Sequence, residues 1–221
     1  ILASLSMLPI VMLPRATPIV ERAEPLMPLQ LLRATPTGVI GCFGSGIAIA
    51  AVYALLPLYL QRIGLDVTEV GHMMAWVILG AMLLQYPVGR WSDHQDRHLV
   101  LIVLGAACAL LSLIILMLPA GSPLLVVAFF LLGGGIFAIY PVAVSHAADR
   151  ASSGAIVSMI QGLLLINSLG CAISPLVISP LMTRVGEAGL FWALAALNVG
   201  LVLLFAWRRA KGSQPVTAAP F

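Results

Sequence analysis

The sequence predicts an all-α polytopic membrane helix bundle: six full transmembrane helices plus the end of a truncated seventh at the N-terminus. Three observations carry that prediction. Of the 221 residues, 61% are hydrophobic and only 9% are charged, against about 25% Asp, Glu, Lys and Arg in soluble domains. The mean hydropathy is +1.09. Six stretches long and apolar enough to cross a bilayer contain none of the 11 basic and 8 acidic residues. A crossing helix takes about 20 mostly apolar residues, because no water is present to satisfy its backbone. A charge at its centre costs about 2.5 to 3.5 kcal/mol. So little charge also excludes a disordered chain or a nucleic-acid-binding surface.

In chain order, residues 1–13 are apolar, with no basic region before them and no small-residue cleavage site after them, unlike a signal peptide. They read as the end of a transmembrane helix whose beginning is missing, and the chain therefore as a fragment. Residues 14–36 hold Pro14, Pro18, Pro25, Pro28 and Pro36 with mixed charges, which no single helix tolerates. They read as a cytoplasmic linker between two membrane halves. The six spans fall at 37–60, 70–88, 99–118, 124–147, 154–179 and 189–207. Together they make one six-helix unit, 37–207, followed by a small polar cytoplasmic tail, 208–221.

Sorting the basic residues by side sets the orientation. Arg15, Arg22, Arg33, Arg90, Arg97, Arg150, Arg208, Arg209 and Lys211 fall on one side, and Arg62 and Arg184 on the other. Cytoplasmic loops collect Lys and Arg. Both ends of this segment are thus expected in the cytoplasm, in a multi-pass protein of the cell (inner or plasma) membrane.

The three cysteines, Cys42, Cys108 and Cys171, lie far apart in apolar runs and read as small hydrophobes. No residue set has metal-ligand spacing, and no Gly-x-x-x-x-Gly-Lys-Ser/Thr motif is present to hold ATP. No metal and no cofactor are expected. His72 and His146 stand at span ends, where an imidazole is normally solvated. Pro57, Pro87, Pro141 and Pro175 stand near span ends too, where they either bend or terminate a helix.

The densest charge cluster follows the second span and runs from Gln85 through Tyr86, Pro87, Val88, Gly89, Arg90, Trp91, Ser92, Asp93, His94, Gln95 and Asp96 to Arg97 and His98. Its residues suggest a device at the membrane edge. Gly89 permits close helix approach and Pro87 loosens the turn before it. Asp93 suits a helix N-terminus, and Arg97, four residues on, is in reach of Asp93 if the stretch is helical. The cluster resembles the signature loop of the major facilitator superfamily, Gly-x-Leu-Ala-Asp-Arg-x-Gly-Arg-Lys. Gly89, Asp93 and Arg97 fall on its Gly, Asp and second basic position. Trp91, Ser92, His94, Asp96 and His98 depart from it, and Asp96 stands where the family has a turn glycine. The segments Tyr140-Pro141, Ser145 to Arg150 and Leu169 to Pro175 extend the resemblance to a little-characterised bacterial branch. The resemblance implies helices seven to twelve of a twelve-helix transporter. It also implies a cytoplasmic gating loop built on Gly89, Arg90, Asp93, Asp96 and Arg97, with its latch partner in the missing N-terminal six-helix half.

Polar side chains inside spans are scarce in the third and sixth and collect in the others. This pattern is similar to the superfamily's, in which helices nine and twelve face lipid while seven, eight, ten and eleven line a central cavity. The candidate cavity residues are Tyr53, Gln85, Tyr140, Gln161 and Asn167. The expected function is secondary active transport of a small solute by alternating access, not an enzyme. The expected partners are the solute, the lipid bilayer and the missing half, with no nucleic acid. Two other readings stand beside it: a self-contained six-helix protein that dimerises into a channel or carrier, and an intramembrane serine protease with Ser45 as nucleophile.

Overall fold

The computed structural model describes residues 31–32, 34–119, 121–149 and 156–212. The calls on 1–13, on nearly all of 14–36, on 213–221 and on Arg15, Arg22, Arg33 and Arg150 lie outside the described residues. Among those described, all regular structure is helical, and six helices are long and apolar enough to cross a membrane. They are α1 (Pro36–Arg62), α2 (Val67–His94), α3 (Arg97–Met117), α4 (Pro123–Ala148), α5 (Ile156–Val185) and α6 (Gly189–Gly212).

Two helices run well past their expected bounds. With 28 and 30 residues, α2 and α5 are each more than 40 Å long at about 1.5 Å per residue, against a hydrocarbon core of about 30 Å. They therefore tilt or project from the core. The prolines do not terminate them. Pro87, Pro141, Pro175 and Pro180 all lie inside helices, where neighbours and local adjustments absorb the lost bond. At Pro57 the adjustment is visible. Residues Ala51–Leu55 form a π-turn, with the Leu56 N–H reaching the Ala51 carbonyl, and the wider turn makes room for the ring.

The bundle is organised by pairs. Helices α1 and α4 are the most buried, with 61% and 56% of their span residues covered, whereas α2 and α5 cover only 22% and 28%. Each of the two outer helices packs chiefly on one central helix, α2 on α4 and α5 on α1, while α3 and α6 pack on each other. Exchanging α1, α2 and α3 for α4, α5 and α6 reproduces this pairing.

Four glycines set the two outer crossings. At α2–α4, a Cβ on Gly80 would strike the Phe130 carbonyl, and one on Gly133 would strike that of Val77. At α1–α5, a Cβ on Gly46 would strike the Asn167 carbonyl, and one on Gly170 would strike that of Phe43. In every case the struck carbonyl lies three residues before the partner's glycine. Both crossings are thus reciprocal backbone contacts, close enough for Cα–H to face C=O.

The two ends of the bundle are built differently. At one end, each helix connection turns on a glycine with positive φ: Gly64, Gly121 and Gly186. There Arg62 reaches both Glu187 carboxylate oxygens at 3.1 and 3.3 Å, and Asp66 with Glu69 forms a capping box that starts α2. Tyr59 meets Phe191 edge to face, and Phe129 packs at a tilt against the same ring. The other end gathers Arg90, Arg97, Arg208, Arg209 and Lys211, and is called the basic end below.

Candidate functional site

The charged cluster after the second span is mostly helix. Helix α2 continues through Gly89, Arg90 and Asp93 to His94, and only Gln95 and Asp96 separate it from α3. The turn needs no glycine. Gln95 and Asp96 are both extended, with φ of −126° and −61°. The Asp96 Oδ1 accepts the His98 N–H at 3.0 Å, so an N-cap does the work that the superfamily assigns to a turn glycine.

Three consecutive residues at the start of α3 tie the basic end together. The Arg97 guanidinium forms an ion pair with Asp149 at the end of α4, Nε to Oδ2 2.7 Å, and donates to Asp93 Oδ1 on α2 at 3.3 Å. The second Asp96 oxygen, Oδ2, forms an ion pair with Arg209 on α6, 3.1 Å from Nε. The His98 ring Nε2 lies 2.9 Å from Thr37 Oγ1 on α1, and the ring packs 4.3 Å from that of His146 on α4. Asp96, Arg97 and His98 therefore contact four of the other five helices. His146, expected in solvent, is only 5% exposed, because the helix ends close over it. Arg97 is the most sheltered of the paired cations, at 20% side-chain exposure against 42% and 43% for Arg62 and Arg209. Its pairing is the one least weakened by water.

Gly89 does not do what its position in the sequence suggests. Nothing lies within 4 Å of a Cβ placed on it. Helices α2 and α4 meet at Gly80 and Gly133 and diverge toward the basic end. Gly89 therefore faces a cleft of about 220 Å³, lined by Gln85, Ser92, Asp93 and Arg97 with Pro141 and Ser145 of α4. Arg90 is exposed, and its carbonyl lies 2.7 Å from His94 Nδ1.

Among the described residues, no pocket lining or side-chain contact joins two of the five candidate cavity residues. Tyr53 is 51% exposed and meets Phe137 edge-on. Gln85 lines the cleft at the basic end. Tyr140 is half-buried against the core, and Gln161 is exposed on α5. Asn167 is committed to helix packing: its Nδ2 donates to the Cys42 carbonyl at 3.0 Å and to Ser45 Oγ at 3.1 Å. Ser45 is fully buried and donates to the same Cys42 carbonyl at 2.9 Å, with no imidazole among its described hydrogen-bond partners, so the pairing a serine nucleophile needs is not formed. The cysteines are free, and Cys42 and Cys108 are fully buried core residues.

Sequence reasoning passed over Asp149 as the nearer partner of Arg97, the Asp96–Arg209 pair and the hydrogen bond from Ser174 to the Ile47 carbonyl at 2.7 Å. Only the first left a local trace, as the Asp-Arg pair that ends the fourth span.

A family model described as Major Facilitator Superfamily matches residues 6–220. The chain belongs to the major facilitator superfamily. Relatives include an uncharacterized MFS-type transporter of Yersinia enterocolitica, 34% identical over 187 residues, covering 85% of this chain and 47% of the relative. Another, from Enterobacter sp. strain 638, is 32% identical over 205 residues, covering 90% and 50%. The MFS-type transporter YcaD of Salmonella arizonae, also uncharacterized, is 34% identical over 185 residues, covering 84% and 47%. The chain spans about half the length of the curated relatives it matches. It is a multi-pass membrane protein of a transporter family, which points to transport and away from catalysis. The exchange of α1–α3 with α4–α6 has the pattern of the three-plus-three repeats known in transporters of this superfamily.

Proposed function

We propose that this chain is the C-terminal half, helices seven to twelve, of a secondary active transporter that moves a small solute by alternating access against a second six-helix half. One observation carries the reading. Within the spans, the exposed polar side chains Tyr53, His72, Gln85, Tyr86, Gln161 and Ser168 all lie on α1, α2 and α5, whereas the exposed residues of α3 within its span are apolar, as are those of α6. The polar groups of that second pair, Ser112 and Asn198, are turned inward and bond to their own helix at 2.7 and 2.8 Å. Polar side chains are expensive against lipid. The faces of α2 and α5 left bare here therefore belong against an aqueous cavity and the other half, and those of α3 and α6 against lipid.

In this reading the basic end is cytoplasmic, as the distribution of Lys and Arg requires. Backbone-to-backbone crossings make α1–α5 and α2–α4 stiff units. The Asp93–Arg97–Asp149 bridge is then the element made and broken at the cytoplasmic edge as the halves rock. Solute and coupling ion are set by chemistry in the full cavity, since one scaffold serves many solutes.

The test is thiol labelling of the complete protein in native membranes, in a background with Cys42, Cys108 and Cys171 replaced by alanine. Gln161→Cys is expected to react with a membrane-impermeant maleimide, and Ala106→Cys on α3 to stay unlabelled. Equal labelling would refute the assignment of faces. For the bridge, Asp93→Asn is expected to lower solute flux at unchanged membrane abundance.

A further inference from the structure

Four buried side-chain polar atoms have no hydrogen-bond partner among the described residues: Thr35 Oγ1, Ser92 Oγ, Asn198 Oδ1 and Arg208 Nε. Two of the four, on Thr35 and Arg208, belong to residues that line a single pocket of about 170 Å³ at the basic end, between the starts of α1 and α3 and the ends of α4 and α6. No Asp or Glu lines it. His98 and His146 form its far wall, stacked on each other, with His98 against Thr37. Thr35 is the N-cap of α1 and makes no side-chain cap bond, and Thr35, Pro36 and Thr37 all line the pocket, which sets the positive end of that helix beside it. A buried guanidinium N–H and a buried hydroxyl without partners, beside a helix N-terminus and with no carboxylate in the lining, suit an oxyanion. Arg fits a phosphate best.

A second cavity begins one helical turn away. It is an apolar groove of about 710 Å³ lined by Val39, Ile40 and Phe43 of α1, Leu169 of α5, and Leu201 and Leu204 of α6. Arg208 follows Leu204 by four residues, and Thr35 and Pro36 stand between Leu32 and Val39 of the groove lining, so the polar pocket stands beside the basic end of the groove. Trp207, with the Lys211 ammonium 4.2 Å over its ring, marks this level as the membrane–water interface.

We propose that the two cavities form one binding site for an anionic phospholipid, with its phosphate held by Arg208, Thr35 and the α1 N-terminus, and one acyl chain lying in the groove. A free phosphate matches only the pocket, and a lipid without a phosphate only the groove. A zwitterionic phospholipid would bring its ammonium beside Arg208 with no Asp or Glu in the lining to pair with it, so the two cavities together favour an acidic phospholipid, of the kind that basic pockets between transmembrane helices recognise.

The experiment is native mass spectrometry of the complete protein released from micelles doped with phosphatidylglycerol or phosphatidylcholine of identical acyl chains, with inorganic phosphate as a third probe. Wild type is expected to retain phosphatidylglycerol about fivefold better than phosphatidylcholine, as one lipid-facing cation implies. Arg208→Gln removes that preference, and Arg208→Lys keeps part of it. Gly200→Leu fills the groove without a clash, since nothing lies within 4 Å of a Cβ there; it lowers retention of both lipids. Arg62→Gln, at the opposite end, leaves retention unchanged. Equal retention of the two lipids by wild type overturns the proposal. So does a preference that survives Arg208→Gln, retention unaffected by Gly200→Leu, or displacement of phosphatidylglycerol by millimolar inorganic phosphate.

Discussion

The α1–α5 and α2–α4 crossings have the same backbone geometry and different chemistry. Each is a reciprocal pair in which a glycine meets the carbonyl three residues before the partner's glycine: Phe43 and Gly46 with Asn167 and Gly170, and Phe130 and Gly133 with Val77 and Gly80. At α1–α5 the contact is reinforced by polar bonds, from Asn167 to Cys42 and Ser45 and from Ser174 to the Ile47 carbonyl. At α2–α4 the position equivalent to Asn167 is Val77, the ring contact is Trp76 on Phe130, and no side-chain hydrogen bond crosses among the described residues. Glycine therefore sets how close two helices come, and polar groups decide whether one register is preferred. The α2–α4 pair, which leads into the Arg97 bridge, has its register fixed by packing alone.

The strongest way to break the comparison is to remove the feature the crossings share. Gly80→Val and Gly46→Val each drive a side chain into a backbone carbonyl that has no rotamer to move, and overpacking of this kind costs about 1 to 3 kcal/mol or more. Both are expected to lose most of the monodisperse peak in detergent size exclusion, and to a similar extent. A tolerant Gly80→Val beside an intolerant Gly46→Val would show that the two contacts are not equivalent.

Transplanting the polar group comes next. Val77→Asn puts an amide at the apolar crossing without the acceptors its counterpart has, at a cost of about 1 to 3 kcal/mol. The expected readout is a lowered melting temperature in detergent. The reverse change, Asn167→Leu, removes two interhelical bonds worth about 0.6 to 1.7 kcal/mol in membrane proteins, and its melting shift should be smaller than that of Val77→Asn. The smallest effect is expected from Arg209→Gln. It breaks the exposed pair with Asp96, where ion pairs contribute about 0 to 1 kcal/mol, and the melting temperature should stay within error of wild type.

Much of this was legible in the sequence, because lipid imposes rules that act residue by residue. Six charge-free runs located six helices, and the lateral position of polar side chains separated α3 and α6 from the rest. The Asp93–Arg97 spacing anticipated their ion pair at 3.3 Å. What failed did so for identifiable reasons. Helix length was underestimated at α2 and α5 because hydropathy ends where the hydrocarbon ends, while backbone hydrogen bonds continue into the interface. Gly89 was assigned a close contact because a glycine near a motif suggests one. The glycines that make such contacts, Gly80 and Gly133, lie mid-span, and Gly80 is as isolated in sequence as Gly200, where an added Cβ would meet nothing.

By itself the sequence determined the membrane class, the six spans found among the described residues and which residues are barred from them, since the cost of charge and unsatisfied backbone in hydrocarbon depends on composition and order alone. Only the tertiary structure decided who pairs with whom: that α5 belongs to α1 and α2 to α4, that Arg97 reaches past Asp93 to Asp149, and that Thr35 and Arg208, some 170 positions apart, line one pocket. Those contacts depend on the angle at which two helices cross. That angle is set by matching surfaces on both partners, which neither segment carries alone.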